Sequence, residues 1–167
     1  MSMDMERENV MAVGIADMKV TADPLKTLVT YSLGSCVGVV IYDPVAVVGG
    51  MLHSMLPDAV GDPAGPSFNP YEFIDTGVPL LFKEAYRYGA RKYRIEVSVV
   101  GCAQIMDDSG YFNIGKRNLA ALRRLFWKNG ILISREHVEG AASRMVRLEM
   151  KTGRVMLRCG WNEEFIL

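Results

Sequence analysis

Cysteine and histidine are both scarce in this chain of 167 residues, which has three of the first and two of the second. Cys36, Cys102 and Cys159 stand far apart, and no Cys-x-x-Cys pair occurs. That excludes a zinc ribbon and a thioredoxin-type redox pair, and so few cysteines do not make a disulfide framework. Neither sign of charge is in excess, with 19 basic residues against 19 acidic. Such a balance argues against a nucleic-acid footprint or a polybasic membrane patch. The longest apolar stretch opens at Val37 and is broken by Asp43-Pro44. It falls far short of the roughly 20 residues that a membrane-spanning helix needs. Residues 1–9 are polar and mixed in charge, unlike a signal peptide, and are expected to form a flexible end. No metal and no cofactor is expected, and the expected compartment is a reducing cytoplasm.

Half of the residues are apolar, which suits one globular domain over residues 1–167 with a substantial core. Residues 11–19 and 25–31 read as strands, and the β-branched run 37–42 as a buried strand returning through 47–55. The proline- and glycine-rich stretch 57–70 reads as an irregular loop and a candidate rim for a site, with Pro57, Phe68 and Tyr71 as rim residues. Helical spacing runs over 71–88, with Pro79 inside it and Gly89 as a stop. A strand is expected over 94–100, a helix over 113–129, and strands over 131–134, 144–150 and 154–158. Lys151-Thr152-Gly153 joins the last two as a hairpin.

The chemistry concentrates at Cys36 and His53. Gly34-Ser35 before the cysteine permits a tight turn whose backbone N–H groups are candidates for holding an oxyanion. The spacing of 17 residues from Cys36 to His53 allows two adjacent antiparallel strands that bring thiol and imidazole together, the minimum for a cysteine nucleophile. A neighbouring imidazolium and aligned N–H groups are expected to lower the thiol pKa. Thr30 is either an ordinary strand threonine or the third member that orients the imidazole. His137, in the polar stretch 134–140, is the competing base, and that stretch reads as a loop. Cys102 and Cys159 read as structural.

These residues carry a resemblance. Leu33-Gly34-Ser35-Cys36-Val37, Asp43-Pro44 and Gly50-Met51-Leu52-His53-Ser54-Met55-Leu56-Pro57 resemble the chemoreceptor glutamine deamidase family CheD. So do Phe73-Ile74-Asp75-Thr76, the run Asn113-Ile114-Gly115-Lys116-Arg117-Asn118, and Arg144 with Thr152-Gly153. The resemblance implies a cysteine hydrolase that converts selected receptor glutamines to glutamate. Cys36 would be its nucleophile, His53 its base and Thr30 the third member. It implies a single α/β (α+β) domain of mixed β-sheets packed with helices, with a papain-like triad reached convergently. It also implies chemoreceptor helices as substrate and a CheC-type chemotaxis phosphatase as partner. Two family glycines are missing: a Gly-Gly-Ala element reads Gly101-Cys102-Ala103, and an Asp-x-Gly-Gly loop reads His137-Val138-Glu139-Gly140. The competing readings are a non-catalytic or weakly catalytic binding partner of a CheC-type phosphatase, and an amidase or peptidase acting on a small substrate.

Overall fold

Strand β4, Val37–Asp43, is buried at every position, and the architecture around it explains why. In the computed structural model, which describes residues 9–105 and 113–167, β4 lies at the centre of a five-stranded sheet. The neighbouring strands are β2 (Asp17–Thr21), β5 (Val48–Ser54), β6 (Glu96–Gly101) and β7 (Arg135–Val138), in the order β2-β5-β4-β6-β7. One face of this sheet carries two helices, α1 (Ile74–Arg87) and α2 (Ile114–Lys128), over a core that includes Val37, Val39, Ile41, Leu52, Leu81 and Leu122. The other face packs on a second sheet across Val40, Met51, Val100, Val146 and Leu148. That sheet has the order β1-β3-β8-β9-β10 and comprises Val10–Ala12, Thr27–Leu33, Arg144–Glu149, Arg154–Cys159 and Phe165–Ile166. A strand covered on both faces reads as an unbroken apolar run rather than an alternating one.

The α+β class with mixed sheets agrees with the sequence reading. β1 pairs β3 and β6 pairs β7 in parallel, while every other named pair is antiparallel. Three element assignments need correction. The strand expected over 11–19 is two strands, β1 and β2, in different sheets, separated by a turn in which Ala16 takes φ 53°. Residues 131–134 are not a strand, and the strand lies just beyond them, as β7. Its four residues, with His137 among them, pair in parallel with β6, so this polar segment is not a loop. The helix over 71–88 begins at Ile74, after a 3-10 turn at Pro70–Glu72. Pro79 is accommodated inside it, and Tyr88 and Gly89 (φ 98°) end it. The flexible end expected at residues 1–9 lies, apart from Asn9, outside the described residues.

Candidate active site

β3 ends in a bulge that leads into the Cys36 loop. The register against β8 shifts between Thr30 and Leu33, and Ser32 sits in the left-handed region at φ 56°. A bulge bends its strand and redirects the chain beyond it. The chain thereby leaves β3 through Gly34-Ser35-Cys36 and enters β4. Three anchors hold this loop by its carbonyls. Gly34 C=O accepts from Ala103 N–H at 2.8 Å, Ser35 C=O from Asn118 Nδ2 at 2.9 Å, and Cys36 C=O from Cys102 N–H at 2.8 Å. In a trans peptide the next residue's N–H points away from the preceding C=O. The amides of Ser35 and Cys36 therefore face away from these anchors.

His53 lies on β5, directly opposite Gly38 of β4. Cys36, two residues before Gly38, packs on the same inter-sheet core that Met51 joins from β5. That register sets Cys36 diagonally across from His53 at the end of one ladder, with no hydrogen bond from the thiol to Nε2. From the opposing sheet, Thr30 Oγ1 stands 2.8 Å from His53 Nδ1. The same hydroxyl donates to Val13 C=O at 2.7 Å. A hydroxyl has one proton to give, so Thr30 accepts from Nδ1–H and the network assigns the Nδ1–H tautomer. The lone pair of the neutral ring is then on Nε2, a buried atom with no hydrogen-bond partner among the described residues. Thr30 and His53 are both fully buried.

Burial governs the electrostatics. It pushes the His53 imidazole down to about 4, and no carboxylate offsets this. It also pushes the Cys36 thiol above its ordinary value, opposed by the residue's own backbone N–H. The expected lowering of the thiol pKa is thereby corrected. Desolvation disfavours both ions, and the group on Nδ1 is a hydroxyl and not a carboxylate, so thiol and imidazole are each driven toward the neutral form. Of the other cysteines, Cys102 is buried, its thiol pushed up to about 12, while Cys159 at the end of β9 is part-exposed.

Cys36 opens on a cavity of about 500 Å³. Its walls include Gly34 and Ser35, then Ala103 and Gln104, then Ile114 and Gly115 at the start of α2. A Cβ on Gly115 would stand 2.5 Å from Cys102 C=O and 2.6 Å from Ala103 C=O, so this glycine lets the helix touch the wall. The expected rim residues are elsewhere. Pro57 lines a separate depression with Ile74 and Asp75, Phe68 stacks on Phe73 at 5.7 Å, and Tyr71 offers its C=O to Ser54 Oγ. The 57–70 loop turns toward α1 because Leu56 bridges to Phe73 and so ties its two ends together.

His137 is engaged with another group. Its Nδ1 accepts from Arg144 Nε at 2.8 Å, and burial together with that guanidinium holds its pKa below the ordinary value. Arg144 is buried, and no ion pair joins it to a carboxylate among the described residues. It donates instead to Gly101 C=O, Ala142 C=O and Glu139 C=O. Glu139 N–H reaches Gly101 C=O at 3.0 Å and Gln104 N–H reaches Gly140 C=O at 2.8 Å. Arg144 therefore ties two loops together behind the Ala103-Gln104 wall.

Comparison with known proteins gives the family. The family model described as CheD chemotactic sensory transduction matches residues 55–159, well over half of the chain. A Solibacter usitatus protein named "Probable chemoreceptor glutamine deamidase CheD" is 50% identical over 146 residues, covering 87% of this chain and 86% of its own length. The chain belongs to the CheD family. A second CheD, from Syntrophus aciditrophicus, is 47% identical over 146 residues, covering 87% of this chain and 91% of its own. A third, from Pyrococcus horikoshii, is 41% identical over 131 residues, covering 77% and 80%. The solved structure of the Bacillus licheniformis hypothetical protein YfiH gives a TM-score of 0.45 at 16% identity over 74% of this chain and 50% of its own, a likeness too distant to bear on fold or function.

The two missing glycines of the CheD resemblance now have a physical meaning. Cys102 takes φ 54° and Glu139 φ 66°, both in the left-handed region where a side chain costs roughly 1 kcal/mol or more. These are the two loops that Arg144 ties, which keeps the strained conformations in place. Sequence reasoning missed Arg144 in this role, Val13 as the group that fixes the Thr30 proton, and Asn118 as an anchor of the Cys36 loop. Arg144 and Asn118 each left a signal as part of a motif, which pointed to family rather than to function.

Proposed function

We propose that this chain is a cytoplasmic protein-glutamine deamidase that converts glutamine side chains of chemoreceptor helices to glutamate, with Cys36 as nucleophile. The observation that carries the reading is the Thr30–His53 hydrogen bond, which leaves His53 Nε2 as the ring's free basic atom in a chain of the CheD family. As the sulfur attacks the carboxamide carbon, Nε2 takes the thiol proton. Ser35 and Cys36 N–H hold the oxygen that becomes negative. The imidazolium formed is steadied by Nδ1–H donating to Thr30, and it hands its proton to the departing ammonia. A γ-glutamyl thioester remains. Water attacks it, Nε2 takes a proton from that water, and the thiolate leaves and recovers the proton. Burial keeps the imidazole unprotonated at neutral pH and free to accept, and the same desolvation weakens it as a base, so the transfer depends on the oxyanion charge that forms as the sulfur attacks.

The product gains a negative charge on a receptor helix, which alters pairing with residues three and four positions away. A CheC-type phosphatase is the regulatory partner the reading proposes, competing with receptor for the face around Cys36. Incubating a receptor cytoplasmic fragment with the protein tests the function. Ammonia should be released with wild type and not with Cys36→Ala. Equal release from both would overturn the nucleophile assignment.

A further inference from the structure

We infer that Asn118 is a positioning residue, fixing the spacing of Cys36 from His53 where the backbone ladder between their strands ends. The inference rests on the reading above, in which those two residues form the reacting pair. The β4–β5 ladder ends at Val37 opposite Ser54. Beyond it the chains diverge: Cys36 leads into the nucleophile loop, while Met55 N–H and Leu56 N–H turn to Glu72 C=O. Asn118, projecting from α2, bridges the gap. Its Nδ2 donates to Ser35 C=O at 2.9 Å and to Met55 C=O at 2.9 Å. The first carbonyl belongs to the residue just before Cys36, and the second to the residue two after His53.

The side chain is fully buried, and its Oδ1 has no hydrogen-bond partner among the described residues. A buried acceptor without a donor is costly, so such an atom calls for an explanation. Reversing the amide would set Oδ1 against two carbonyl oxygens, so the two donated bonds fix its orientation. The stranded oxygen is then the consequence of delivering both N–H groups to two loop ends at once. A displacement of the order of 1 Å between reacting groups costs up to about 100-fold in rate.

The test is a two-residue cycle read by alkylation of Cys36 with iodoacetamide, followed by peptide mapping, which needs neither receptor nor turnover. The proteins are wild type, Asn118→Leu, His53→Ala and the double variant. Asn118→Ser is added as a second variant in case leucine prevents folding, and circular dichroism reports the fold throughout. Asn118→Leu and Asn118→Ser are each expected to slow Cys36 alkylation roughly 10- to 100-fold. In the His53→Ala background the same change should slow it no further, because the partner being positioned is gone. Folded Asn118 variants that alkylate like wild type, or effects that multiply in the double variant, would overturn the positioning role while leaving the Cys36–His53 pair standing. No slowing by His53→Ala itself would overturn the pair and the positioning role together.

Discussion

Thr30 gives its one proton to Val13 and takes one from His53, and this exchange sets which imidazole nitrogen is free to act as base. Thr30→Val keeps the shape but strands Nδ1–H in a buried site, and so should lower activity. The loss should be smaller than for His53→Ala, which in the proposed mechanism removes the general base, a role worth about 100-fold or more. His137→Ala should leave the reaction largely intact, because Arg144 already holds that ring. Rates of ammonia release from all three variants decide the order. A dead His137→Ala beside an active His53→Ala would contradict it. Cys36 should also alkylate before Cys102, whose thiol is buried and pushed up to about 12. At this scale Cys36, His53 and Thr30 were legible as local residue types in one short stretch of sequence. The push of both groups toward their neutral forms was not, because it comes from burial between two sheets that no local spacing reports. Nor were Val13 and Asn118, which reach the site from distant parts of the chain.

α2 meets the cavity wall through Gly115, which sets propensity against packing. Alanine is the better helix former by about 1 kcal/mol. Yet its Cβ would meet two backbone carbonyls at 2.5 and 2.6 Å, and backbone does not give way easily. Overpacking of this kind costs roughly 1–3 kcal/mol, so Gly115→Ala should lower the unfolding midpoint and reduce turnover by moving the wall. A raised midpoint would show that the helix, not the contact, sets the balance. Elements were legible where burial is two-sided or helical spacing is strong, as in β4 and α2. They were misread where pairing decides the outcome. Residues 11–19 split because β1 and β2 find partners in different sheets, and 135–138 become a strand because β6 offers a free parallel edge.

The whole molecule should show buried His53 and half-buried His137 as acid sensitivity. His53 is held at about 4 when folded against an ordinary value of 6.5, so protonation favours the unfolded chain. The stability this group contributes is present above about 6.5 and is lost as pH falls toward 4, by up to about 1.4 kcal/mol per pH unit. His137 is shifted in the same direction and adds to the effect. Urea unfolding across that window should show a shallower loss for His53→Asn than for wild type, although the variant starts less stable for want of the Thr30 bond. Equal slopes would mean that His53 is not buried neutral. No helix among the described residues is long and apolar enough to cross a membrane.

The most direct test of the central claim is mass spectrometry of a receptor cytoplasmic fragment incubated with the protein in heavy-oxygen water. Hydrolysis through a Cys36 thioester predicts that particular glutamines become glutamates carrying one labelled oxygen, with wild type and not with Cys36→Ala. Receptor glutamines left unchanged by wild type, or changed equally by Cys36→Ala, would contradict the account.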